Sequence, residues 1–199
     1  MKNKIVLFVV LLLSISTYAQ KKKTATSEEK SNKSKNSFAK VDNLEVEVKN
    51  NNFQISFAGS VKGNESIIIK NVDSKFVPLD TKLMPFTANG AKLYFISWVE
   101  RVVTKTDNKN EESTTLTSQI YDITTKTLIF VNTQLTSKIT EKVFLDRLKN
   151  ASETQERIHR EGYELTLNPD GTVIQKNKGK EIKLVYDPKT FKYIETKKK

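Results

Sequence analysis

The 199-residue sequence has no cysteine, one histidine and one tryptophan. Without cysteine there is no disulfide framework, no thiolate metal site and no thiol nucleophile. One histidine cannot supply a two-histidine zinc site. Glycine and proline are also scarce, at six and four residues, and no glycine-rich phosphate loop is present. No Gly-x-Ser-x-Gly elbow and no Asp-x-Asp-x-Asp-Gly calcium loop occurs. No cofactor is therefore implied. The hydrophobic fraction is 37%, below the globular average of about 45–50%. The length fits one domain.

The net charge of +11 is unevenly placed. Residues 1–19 carry Lys2 and Lys4 without an acid. Residues 20–40 carry seven lysines against Glu28 and Glu29, and the chain closes on Lys197, Lys198 and Lys199. Residues 41–196 then hold 22 bases and 21 acids, a net of +1. Nucleic-acid-binding domains cluster their bases on a face of the fold itself, so nucleic acid is not an expected partner. An envelope protein, or an anionic envelope surface met by the lysine tails, is.

The first segment reads as an address. Lys2 and Lys4 precede the apolar run Ile5–Leu13, and Ser14 to Ala19 form a polar exit. Nine apolar residues are too few for a span that needs about 20. The pattern resembles bacterial signal peptides, with cleavage after Ala19 and Gln20 as the new first residue. No cysteine follows, so the expected product is periplasmic or secreted and not a lipoprotein. It has no transmembrane segment in its mature form. Residues 20–40 have Phe38 as their one large apolar residue and read as a disordered Lys/Ser-rich linker. Residues 41–196 read as one β-rich domain and 197–199 as a basic tail.

Within that domain the pattern is mostly period two. Leu44, Val46 and Val48 alternate with acids, Phe53, Ile55 and Phe57 with polar residues, and Asn50–Asn52 sit between them: a hairpin. Residues 71–90, with Pro78 and Pro85, read as irregular. Lys92–Val103 is apolar at both parities up to Val99, as in a strand covered on both faces, with Trp98 as its anchor. Residues 104–114 read as a long exposed loop, followed by strands to Ile123 and over 128–135. The spacing of Phe144, Leu148, Ala151 and Ile158 predicts an interrupted helix near 140–161. Thr140 would cap its first piece, Ser152 and Gln155 would box its second, and Gly162 would stop it. The last forty residues read as a meander with turns at Asn168–Gly171, Asn177–Lys180 and Asp187–Thr190. The expected fold is α+β, mainly antiparallel sheet, curled or in a sandwich.

The stretch Ala88–Ser97 followed by Tyr121–Lys126 resembles one β-propeller blade. A propeller needs at least about four blades of roughly 40 residues, more than residues 41–196 hold, so no family is assigned. Catalytic candidates are few. His159 sits among charged residues, where a helix end would favour it for its dipole alone. Paired carboxylates can hydrolyse glycosides without cysteine or histidine, and Glu100, Asp122, Asp146 and Glu164 are the candidates. The expectation is an exported, non-enzymatic binding or envelope-associated protein. The alternatives are a small carboxylate-dependent hydrolase of envelope polymers and a subunit of a larger envelope assembly.

Overall fold

In the computed structural model, residues 37–58 and 65–196 are described. The segment read as a signal peptide, its expected Ala19–Gln20 junction, residues 20–36 of the segment read as a linker and the tail 197–199 lie outside them. Thirteen strands follow in order: β1 Ser37–Val41, β2 Leu44–Lys49, β3 Asn52–Phe57, β4 Ser66–Asn71, β5 Leu79–Ala88, β6 Ala91–Lys105, β7 Lys109–Asp122, β8 Thr127–Phe144, β9 Ser152–Gly162, β10 Glu164–Leu167, β11 Val173–Asn177, β12 Lys180–Asp187 and β13 Lys192–Glu195. They form three antiparallel meanders: β1–β4, a central sheet of β5–β9, and β10–β13. Among the described residues no helix is long and apolar enough to cross a membrane.

The fold is therefore all-β, which corrects the α+β expectation. The segment read as a helix over 140–161 is the end of β8, a tight turn, and β9. Thr140 pairs with Glu156 across the ladder instead of capping a helix, and Ser152 pairs with Phe144. Leu148, assigned to the apolar stripe, is 79% exposed. The physical reason is competition for β8. Its open edge of N–H and C=O groups finds eleven partners in β9, whereas a helix here has no surface for its stripe. Pairing overrides the helix preference of the Glu, Gln and Arg residues in β9. Asp146 organises the connecting turn, accepting from the N–H groups of Asn150 (2.9 Å) and Ala151 (3.1 Å). Gly162 stops no helix. Its φ is +82°, and an added Cβ would lie 2.1 Å from the Thr133 carbonyl oxygen.

Three boundaries also move. β1 takes residues 37–40 from the stretch read as linker, and Phe38 packs on the core. Residues 79–88 are a strand despite Pro85, because β5 is an edge and an edge tolerates a missing N–H. The loop read over 104–114 shrinks to a tight hairpin, with Thr104–Lys105 in β6 and Lys109–Thr114 in β7. The β2–β3 hairpin and the C-terminal meander stand as read.

β6 is indeed covered on both faces. Tyr94, Ile96 and Trp98 point into a core shared with Leu44, Val46, Phe53, Ile55 and Ile67 of the N-terminal sheet. Leu93 and Phe95 point the other way, into a core with Val173 and Tyr186 of the C-terminal sheet. Each such side chain contributes about 1.5–3 kcal/mol on burial. Trp98 sits edge-on to Phe53, with ring centroids 5.1 Å apart. Polar ties reinforce the second interface. Buried Asn132 donates to the Tyr163 carbonyl (2.9 Å) and accepts from Gln175 (2.7 Å). The Tyr193 hydroxyl donates to the Gly171 carbonyl (2.9 Å).

Candidate ligand groove

The central sheet is longer than the two sheets that cover it. Along β6, Leu93 to Trp98 are buried, Val99 and Glu100 are half-buried, and Arg101 to Lys105 are exposed. Apolar side chains near that boundary keep one open side, and each face carries a groove there.

On the N-terminal-sheet face, a groove of about 570 Å³ is lined by Val72, Phe76, Val77, Leu79 and Val102. Its carboxylate Glu100 is already engaged. Glu100 accepts from Trp98 Nε1 (3.0 Å) and from Lys70 Nζ (2.9 and 2.8 Å to its two oxygens). On the opposite face, a groove of about 610 Å³ lies between β5 and β10. Phe95 and Val99 of β6 and Leu116 of β7 line it, with Met84 from β5 and Leu165 and Leu167 from β10. This volume falls in the range of ligand pockets, about 300–1,000 Å³.

The polar groups of the second groove are placed by the ladder and a bulge. Ser97 and Ser118 are cross-strand partners, and both are buried. β5 shifts register between Leu79 and Lys82, and Asp80 takes a φ of +47°. Such bulges re-aim side chains. Within this one, the Thr81 hydroxyl is buried with no hydrogen-bond partner, alone in this among the described side chains. An unpaired buried hydroxyl costs about 1–3 kcal/mol, and a shift of the bulge would expose it to a polar ligand atom. Sequence reading missed this site because its signal is a register shift, which composition and periodicity do not carry.

The carboxylates singled out from sequence do not form a pair. Glu100 is held by Lys70 and Trp98. Asp122 accepts from the N–H groups of Thr124 and Thr125 in the β7–β8 turn. Asp146 organises the β8–β9 turn. Glu164 lies in another sheet, opposite Lys176. Glu100 stands opposite Thr115, seven residues from Asp122 along β7, or roughly 20 Å at strand spacing. His159 is exposed on β9, with Nε2 2.7 Å from a Glu161 carboxylate oxygen. Its expected place at a helix end is not realised. No group of three or more potential metal ligands occurs among the described residues.

No protein-family model matches the chain, no curated protein matches its sequence, and no solved structure matches its fold.

Proposed function

We propose that the protein is exported and serves as a non-enzymatic, envelope-associated binding protein, with the groove between β5 and β10 as its ligand site. The observation that carries this reading is the combination of apolar lining with the buried and unpartnered Thr81 hydroxyl. Those features suit an amphiphile. Its chain would lie along Phe95, Val99 and Leu116, and its hydrogen-bonding head would sit at the β5 bulge beside Thr81, whose hydroxyl a shift of the bulge would expose. Most ligand sites combine apolar walls with a few placed polar groups in this way. The four carboxylates singled out from sequence lie in an ion pair, two turns and a different sheet. The lysines of residues 20–36 would supply a charged tether, and each lysine near an anionic membrane contributes about 1 kcal/mol of attraction.

The test uses the chain from Gln20 to Lys199 and a dansyl-labelled fatty acid as probe. Saturable fluorescence enhancement is expected, lost in Leu116→Arg and retained in Val102→Arg on the opposite face. No enhancement, or equal loss in both variants, contradicts the site. Export is tested by mass spectrometry of the secreted protein, which should begin at Gln20. An intact Met1 refutes export.

A further inference from the structure

The central sheet has two edge strands, and they are unlike. β5 is interrupted by Pro85 and by its bulge, two devices that block strand addition. β9 has neither. Its ladder with β8 runs unbroken over eleven pairs, from Phe144↔Ser152 to Gln134↔Gly162. All eleven of its residues are exposed.

The hydrogen-bond parity of β9 follows from the hairpin turn. Leu145 N–H donates to the Ala151 carbonyl at 3.0 Å, so that pair is of the hydrogen-bonded kind. Antiparallel pairs alternate between bonded and non-bonded. Arg157 and His159 therefore bond inward to β8. Thr154, Glu156, Ile158 and Arg160 turn their N–H and C=O groups to the free edge.

The charges divide along the same parity. Arg157 is paired with Glu141 (3.3 Å) and His159 with Glu161 (2.7 Å). Glu156 and Arg160 have no ion-pair partner among the described residues. Their neighbours on β8 are Thr140 and Thr136. Ile158, midway between them, is 55% exposed. Read along the free edge, the order is acid, isoleucine, base, which is complementary to itself in the antiparallel sense.

We propose that β9 pairs antiparallel with β9 of a second copy, across a two-fold axis at Ile158. Ile158 then meets Ile158 of the partner subunit. Glu156 faces the partner subunit's Arg160, and the second such pair follows by symmetry. Interfaces on a two-fold axis must be self-complementary in this way. On the other face, Arg157 opposes the partner's His159, with Arg157 already balanced by Glu141. Axes at Glu156, Arg157 or Arg160 set like charges opposite one another. An axis at His159 sets Ile158 against the partner's Arg160, and axes nearer the strand ends shorten the ladder. The two five-stranded sheets become one continuous sheet.

The experiment is sedimentation equilibrium on the Gln20–Lys199 chain, with circular dichroism to check the fold of each variant. The wild type should reach twice the chain mass. Arg160→Glu should raise the dimer Kd at least about tenfold, because it creates two like-charge pairs. The double variant Glu156→Arg/Arg160→Glu swaps the pairs and should return the Kd to within about threefold of wild type. Ile158→Pro should give a monomer with an intact fold, since that N–H faces away from β8 and edge strands accept proline on that side. A wild-type monomer at all concentrations overturns the proposal. So does a dimer indifferent to Arg160→Glu, or a double variant no tighter than the single one.

Discussion

The two halves of the central sheet share strands and ladder, yet they are built from different chemistry. In the covered half, successive residues of β6 are buried on alternate faces, and aromatic and branched side chains fill both cores. In the uncovered half the same strands continue as Arg101–Lys105, Lys109–Thr115 and Leu135–Phe144, joined by the exposed β9. There most cross-strand neighbours are hydroxyls and charges, with Ile139 as a buried apolar exception. Ser113 and Ser137 bond at 2.8 Å, and Arg101 meets Glu112 at 2.9 Å. An exposed ion pair such as Arg101–Glu112 contributes about 0–1 kcal/mol. Backbone pairing can thus carry a sheet past the end of its core, but the stability resides where the covers are. The grooves lie at the border, and the free edge lies beyond it.

Substitutions should break this contrast unequally. The largest effect belongs to Ile96→Ala, at a fully buried position of the covered half. A loss of about 2–5 kcal/mol in urea unfolding is expected from lost burial plus cavity. Gly162→Ala, at the foot of the uncovered half, combines a positive φ with a backbone clash. It should cost about 1–3 kcal/mol, visible as a lower urea midpoint. Asp146→Ala removes the acceptor for two turn amides and should cost about 1 kcal/mol. Its effect should show as faster amide exchange confined to the β8–β9 hairpin. The smallest change belongs to Thr136→Ser in the uncovered half, expected within about 0.5 kcal/mol in the same unfolding assay.

Alkali offers a probe of the covered half alone, because residues 100–115 and 134–162 contain no tyrosine. Burial pushes the Tyr121 hydroxyl up to about 12, and burial also raises that of Tyr193. A tyrosine whose folded pKa is raised stabilises the fold in its neutral form. That contribution is fully present below the unfolded value, about 10, and is lost as pH rises towards about 12. Phenolate absorbance should therefore appear together with unfolding over that window. Full phenolate formation with the fold intact contradicts the burial of these rings.

Much of the covered half was legible in the sequence. The double-parity run of β6, the β2–β3 hairpin and the Asn168–Gly171 turn each state their structure locally. The turn even packs as its glycine demands, since a Cβ at Gly171 would lie 2.5 Å from that of Ala88. The uncovered half was not legible. Phe144, Leu148, Ala151 and Ile158 imitate a helical stripe, and the residues of β9 are helix formers. What makes them a strand is a long-range partner, β8, and a single chain does not announce its partners. The same limit hid the groove, whose walls come from β5 and β10, far apart in sequence. The candidate carboxylates were visible as residues, but their use in turns and one ion pair follows only from the fold.

Hydrogen exchange read by mass spectrometry, on dilute protein, tests the central contrast most directly. The amides of residues 93–98 and 117–121 should exchange only through global unfolding, whereas those of 101–105, 110–115 and 153–161 should exchange markedly faster. Equal protection along the whole length of β6 would contradict the claim that stability ends where the covering sheets end.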